Sequence, residues 1–341
     1  MRRWTSFGTM TAAALLGTSA AGIALAHHSR AAYDSSTEID IAGVVASVAW
    51  TNPHVYITLD VPGANGPTKQ QIEVGPLSTL GPLGLNRDVL SAGERVTVRA
   101  NPNRQGPGHI VVGLDVTKSD GSIYPLHVFG RSRPPPAARK AESLVGKWVP
   151  TTEGWREMTR GSRDYPLTES ARKIIADVQS QVASQAACAP WPAPVLMGLP
   201  ALRTIDAQAD VVTMRFDWMN GERTIHMNLA KHPVNVAPTL QGHSIGHWEG
   251  QTLVIDTAGF AAHREGAGFG VPSGTHKHLT ERLTLRDDHT SLDYQFTVED
   301  PESLTEPVTR KIQWMYRPDL EPSGQQCDPE VAKRAFLELK N

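Results

Sequence analysis

The stretch Leu279-Thr280-Glu281-Arg282-Leu283-Thr284-Leu285 decides how the second half of this chain is read. Its odd-numbered residues are apolar except Glu281 and its even-numbered residues are polar, the period-two pattern of a strand with one buried face. Two later stretches repeat the pattern. In 291–299 the apolar row is Leu292, Tyr294, Phe296 and Val298; in 308–316 it is Val308, Arg310, Ile312, Trp314 and Tyr316, apolar except for Arg310. Working back along the chain, residues 211–218, 222–228, 246–248 and 252–257 add strands, and Ser143-Leu144-Val145-Gly146-Lys147-Trp148 opens another. Asn220-Gly221, Glu249-Gly250 and Asp287-Asp288 are hairpin turn signals. Together these predict a meander of antiparallel strands closing into an up-and-down barrel over residues 142–341. One helix is predicted within it, over 168–185, with Thr168 as cap and Ile174, Ile175, Val178 and Val182 as its apolar stripe. Residues 190–200 are proline-rich and read as irregular.

Upstream of this barrel, residues 131–141 contain Pro134-Pro135-Pro136 flanked by Arg131, Arg133, Arg139 and Lys140. Consecutive prolines favour an extended, solvated chain, so this is the predicted linker. Before it lie short alternating runs at 39–49, 55–61, 71–74, 95–99, 109–116 and 122–128. Five or six short strands in about 100 residues predict a small barrel of the OB type over 27–130. The expected fold class is therefore all-β with one helix: an OB-like barrel followed by a larger antiparallel one.

Residues 1–26 carry Arg2 and Arg3, an uncharged run rich in Ala, Leu, Gly, Ser and Thr, and the small-x-small site Ala24-Leu25-Ala26. That is the order of a cleaved secretory signal, so a periplasmic or secreted protein is expected, with no transmembrane segment after cleavage. An oxidising compartment and an even cysteine count raise the expectation of a Cys188–Cys327 disulfide. The 341 residues carry 33 basic and 35 acidic side chains, a balance that argues against nucleic acid as a partner.

Two resemblances follow from particular motifs. Ala26-His27-His28-Ser29, Ile41-Ala42-Gly43-Val44-Val45 and Trp50-Thr51-Asn52-Pro53-His54 make residues 27–128 similar to a family of exported bacterial domains of uncharacterised function. In the second half, Gly242–Gly250, Thr252–Phe260 and Glu281-Arg282 resemble a domain often found in the same kinds of bacteria, and Gly146-Lys147-Trp148 is similar to the Gly-x-Trp that opens lipocalin-like barrels. These resemblances imply a lipocalin-like second barrel and carry no established activity.

The candidate sites follow from the strand faces. Glu281 and Arg310 fall on inward rows, and isolated burial of a charge is very costly. Two readings stay open: an ion pair that fixes the fold, or a polar anchor in a cavity that binds a small apolar or aromatic molecule with Arg310, Tyr294, Phe296, Trp314 and Trp248. An acid/base enzyme of isomerase or lyase type is the alternative, with Glu281, His278 and Asp256 as catalytic groups. His263 and His276 lie beside the glycine-rich run 266–270, and His276 with His278 and a carboxylate is a further loose metal-ligand set. Gly242-His243-Ser244-Ile245-Gly246 fits the Gly-x-Ser-x-Gly nucleophile elbow, but a β-run rather than a helix follows it, so Ser244 is read as a strand residue. Finally, cleavage after Ala26 would give His27 a free amine beside its imidazole, and with His28 and His54 this predicts a copper site.

Overall fold

The computed structural model describes residues 33–51, 54–128, 130–131, 138–176, 189–235 and 237–324. Residues 1–26, expected to be a secretory signal, together with His27, His28, Cys188, Cys327 and Pro134-Pro135-Pro136, lie outside the described residues.

The first barrel is built from β1 (Ile39–Ala49), β2 (Tyr56–Val61), β3 (Thr68–Glu73), β4 (Arg95–Asn101), β5 (Val111–Lys118) and the short β6 (Ile123–Pro125). The strands are ordered β3-β2-β1-β4-β5-β6, and a parallel pairing of Ile72 and Glu73 with Val111 and Val112 joins β3 to β5. That pairing closes a five-strand ring, with the single helical turn α1 (Leu77–Leu80) between β3 and β4. This is the Greek-key barrel expected from the spacing of the short strands. Alternation explains its core: Ile57, Leu59, Ile72, Val98 and Val116 point inward and are buried, and Leu80 of α1 with Leu126 covers the remainder.

The second barrel contains β7 (Gly146–Pro150), β8 (Arg203–Ala207), β9 (Val211–Phe216), β10 (Glu222–His226), β11 (His243–Glu249), β12 (Thr252–Ala258), β15 (His278–Leu285), β16 (Ser291–Glu299) and β17 (Val308–Tyr316). They close in the order β10-β11-β12-β15-β16-β17-β7-β8-β9. A hairpin, β13 (His263–Gly268) and β14 (Val271–Ser273), hangs from the ring between β12 and β15. A closed ring with an odd number of strands cannot be antiparallel throughout. The exception is β10 with β11, which pair in parallel at Ile225–Ser244 and His226–Ile245. The long connection between them makes this possible and corrects the expectation of an all-antiparallel meander. Gly246 lies at this seam, and a Cβ there would meet Ile225 Cγ2 at 2.6 Å, so glycine permits the close approach.

Two elements differ from the expected helix content. α2 (Thr152–Gly161) was not foreseen, because Gly154 and a mostly polar composition hide it. The described part of the foreseen helix is α3 (Glu169–Ala176), and Thr168 Oγ1 accepts from the Ala171 amide at 3.1 Å as expected of its cap.

Candidate functional site

The inward rows of the second barrel pack as a core. Trp148, Tyr294, Phe296, Trp314, Leu279 and Leu283 are 0–1% exposed and belong to one contiguous cluster. Tyr294 lies 5.3 Å from Trp314 and 5.6 Å from Phe296, ring centre to ring centre. Side chains with no accessible surface have no water-sized space beside them. The expected ligand residues Tyr294, Phe296 and Trp314 therefore serve as packing, while Trp248 is 46% exposed at the far end of β11 and does not enter the barrel.

Glu281 is buried, as its place in the alternation required, but its cation is Arg223 and not Arg310. Arg223 Nη1 and Nη2 donate to the two carboxylate oxygens at 2.9 and 2.6 Å, and the Tyr294 hydroxyl donates to Oε1 at 2.8 Å. Arg223 Nη2 also reaches Ser244 Oγ and Thr257 Oγ1 at 3.3 and 3.2 Å. Burial works against the Arg223 charge, but Glu281 more than offsets it and raises the guanidinium's pKa; burial and Glu281 together raise that of the Tyr294 phenol. Arg310 instead stacks over Tyr165, 5.2 Å from the ring centre, at the end of its row. Ser244 lies in strand β11 with its hydroxyl 2.9 Å from that of Thr257, so no nucleophile elbow forms.

Parity also separates the expected acid/base residues. Glu281 and Ile255 are opposed and point inward; Asp256 and His278, on the same two strands, point outward. Asp256 and His278 do meet, but on the outer wall, and Glu281 is not with them. The acid/base constellation of Glu281, His278 and Asp256 is therefore not assembled. His276 pairs with Glu302 at 2.8 Å, and His54 Nδ1 faces the carbonyl of Val74 at 3.1 Å. His276 thus does not join the set expected with His278, while His27 and His28, expected with His54 in a copper site, lie outside the described residues.

What the barrel does present is one elaborated end. The proline-rich segment before β8 is not a surface loop: residues 191–202, including the helical turn α4 (Val195–Gly198), are buried and stopper this end. An irregular buried backbone must find donors for its carbonyls. Two buried cations supply them. Arg203 donates to the carbonyls of Met197, Leu199 and Ala201 while its guanidinium lies 4.3 Å from the Trp314 ring centre. Lys277, 1% exposed, donates to Ala193 and Gly266 at 2.8 Å each, with its Nζ 3.7 Å from the Phe260 ring centre. Burial draws Arg203 down to about 9 and holds Lys277 well below its ordinary value.

An aromatic group lies over the stopper. Phe269, at the tip of the β13–β14 hairpin, meets Trp155 of α2 edge-on at 5.0 Å and Trp191 at 5.9 Å, and Trp191 lies 5.7 Å from Trp218. Phe269 and Trp218 are half-buried, so the group reaches the surface. Beside it, Trp155 Nε1 and Gln241 Oε1 are buried with no protein partner, and so are Glu265 Oε2 and Ser273 Oγ on the strands of the hairpin. Gln241 is anchored there by its amide nitrogen, which donates to the Trp191 carbonyl at 2.9 Å. Burial pushes the Glu265 carboxyl up to about 7, and burial with the nearby Lys277 charge draws His263 down to about 4. Perturbed groups in an aromatic depression mark this end as the candidate site.

The outer wall near the same end carries a chain of histidines and carboxylates. His278 faces Glu299 through Nδ1 at 3.1 Å and Asp256 through Nε2 at 2.9 Å; Asp256 faces His232 Nε2 at 2.6 Å; His232 Nδ1 faces His243 Nδ1 at 2.9 Å; and His226 stacks on His243 at 4.9 Å. His232 and His226 were missed by the sequence reading. The register places Asp256 beside Ile245 and Thr280, and His278 beside Glu299, so outward parity on neighbouring strands was the available signal.

Residues 15–112 match the profile of DUF6152, a family of unknown function. The match runs from before β1 into β5 and so bears on the first barrel alone. No curated protein matches the chain. Among solved structures, a secretary abundant heat soluble (SAHS) protein from Ramazzottius varieornatus is similar over 53% of this chain and 99% of its own, at 12% identity and a TM-score of 0.27. The second barrel is lipocalin-like in its closed, mostly up-and-down strand order, and none of the helices among the described residues is long and apolar enough to cross a membrane.

Proposed function

We propose that this is an exported protein that binds a small, largely apolar or aromatic molecule at the stoppered end of its second barrel. The observation that carries the reading is the pair of unpartnered buried polar atoms beside the aromatic group, Trp155 Nε1 and Gln241 Oε1, with two more, Glu265 Oε2 and Ser273 Oγ, on the strands of the hairpin that carries Phe269. A buried donor or acceptor without a partner is costly, so such atoms grouped beside aromatic faces suit a ligand that supplies the missing partners. The Trp155 indole offers a donor; Gln241 Oε1 and an ionised Glu265 offer acceptors; a protonated Glu265 offers a donor as well. The axis of the barrel is already filled by its own side chains, which favours a ligand beneath the hairpin over one between the strands. The secretory signal supports the export part of the reading.

The test uses 1-anilinonaphthalene-8-sulfonate as a fluorescent apolar probe on the whole protein. Saturable binding is expected, weakened severalfold in Phe269→Ala and about fivefold in Trp155→Phe, which keeps the ring but removes one hydrogen bond of roughly 1 kcal/mol. Unaltered binding in both variants, with their folds intact by circular dichroism, would overturn the placement.

A further inference from the structure

We propose that His232 and His243 form a clasp for a divalent transition-metal cation, Cu(II) by preference, on the outer wall of the second barrel. The site is separate from the aromatic end and does not depend on it.

The argument starts with tautomers. A carboxylate only accepts hydrogen bonds, so each ring nitrogen that faces one must carry a proton. Asp256 faces His232 Nε2 at 2.6 Å, which leaves the lone pair of a neutral His232 on Nδ1. That Nδ1 points at His243 Nδ1, 2.9 Å away, with the two rings at 79° to each other. In the protein alone a single proton bridges the two nitrogens. His278 has both nitrogens on carboxylates, Glu299 and Asp256, and so anchors the far side of Asp256. His226 stacks on His243 and covers one face of its ring. The result is two imidazoles with converging Nδ1 atoms, one of them fixed in its tautomer by a carboxylate. A carboxylate behind a ligating histidine is the recurring outer-shell device of metal sites.

The two Nδ1 atoms are 2.9 Å apart, near enough for one cation to bridge them once the rings turn. Imidazole nitrogens hold Cu(II) more tightly than Zn(II), which sets the preference. To admit the ion, the rings swing outward about their Cβ–Cγ bonds, and the bridging proton passes by way of solvent to Nε2 of His243, so both Nδ1 lone pairs are free for the metal and neither ring becomes an imidazolate. Water completes the coordination on the solvent side, where His232 is about a quarter exposed. Among the described residues no group of three or more His, Cys, Asp or Glu side chains could hold a metal ion, so this is a two-ligand clasp open to solvent or to a further ligand.

The experiment is equilibrium dialysis of the full chain against CuSO4, followed by electron paramagnetic resonance of the bound copper. His232→Ala and His243→Ala are each expected to lose one equivalent of copper and its nitrogen hyperfine pattern. Asp256→Asn is expected to weaken that equivalent by about 10- to 100-fold while retaining the same spectrum, because it loosens the orienting shell and not the ligands. Thermal melts of the three variants check that the barrel is intact; the substituted side chains lie on the outer wall. Zn(II) is expected to bind more weakly than Cu(II) at the same sites. Copper uptake and spectra unchanged by both alanine variants would overturn the clasp, since any remaining copper would then lie elsewhere on the chain. Loss of probe binding at the aromatic end would leave this result unaffected, and the reverse holds as well.

Discussion

The two faces of one barrel wall hold the same kinds of side chain to opposite ends. On β15, His278 points out and Glu281 points in; on β12, Asp256 points out beside the inward Thr257. Inside, Glu281 is 0% exposed, and its partners Arg223 and Tyr294 are as deeply sequestered. Removing two charges from water is costly, and such a pair holds only where further hydrogen bonds complete it, as Tyr294, Ser244 and Thr257 do here. Outside, Asp256 is 41% exposed, and its two histidine contacts are screened by solvent. A step of one residue along the strand thus separates a carboxylate locked into the fold from one whose partners can exchange for protons or ions.

The largest test of that contrast is Glu281→Gln. It leaves the Arg223 charge buried without a counter-charge, and we expect a loss of about 3–5 kcal/mol in urea unfolding. Replacing both partners, Arg223→Met with Glu281→Leu, should recover most of the loss, because no uncompensated charge remains. A Glu281→Gln protein with the wild-type midpoint would show that the interior pair does not hold the barrel, and the distinction between the faces would fail.

The strand faces were legible in the sequence because parity is local. Leu279, Glu281, Leu283 and Leu285 needed only their own spacing to be placed inward, and all four are buried. The partner of Glu281 was less legible, because Arg223 lies 58 positions away and reaches it across the barrel. Its alternation with Ile225 on β10 marks an inward arginine, which the choice of Arg310 overlooked. The burial of the stopper was hidden for a different reason. Prolines signal irregular backbone, and irregular backbone is ordinarily kept at the surface by its unpaired carbonyls. Here Arg203 and Lys277 satisfy those carbonyls; Arg203 directly follows the segment, but Lys277 lies 84 positions from Ala193 and nothing local links the two. The histidine chain is a product of register across five strands and a loop, which no single strand displays.

A test of intermediate size concerns the aromatic end. Burial raises Glu265 to about 7, above its ordinary 4.5, so its protonated form is the one the fold favours. The stability this contributes is fully present below pH 4.5 and is lost as pH rises through 7. Glu265→Gln keeps a neutral side chain of the same shape at every pH. It should match the wild type near pH 4 and exceed it by roughly 2–3 kcal/mol at pH 8, read from denaturant midpoints. Parallel curves for the two proteins across that range would place the carboxylate in water, and the depression would lose one of its four polar atoms.

The smallest expected effect is at the outer wall. Burial opposes the charge on His278, but Glu299 and Asp256 raise its pKa above the ordinary value. Its contribution is therefore fully present below about pH 6.5 and lost as pH rises through the raised value. Asp256 runs the other way. Burial opposes its charge, yet His232 and His278 hold it below the carboxylate range, so its contribution is lost only in acid. Between pH 5 and 9 Asp256 stays ionised, and the difference between wild type and His278→Gln isolates the histidine. About 0.5–1 kcal/mol should separate them at pH 5.5 and almost nothing at pH 9, because a pair this exposed is weak even when formed. A loss comparable to that of Glu281→Gln would mean that the outer chain also holds the barrel together. The exchangeable character on which copper binding by His232 and His243 depends would then be absent.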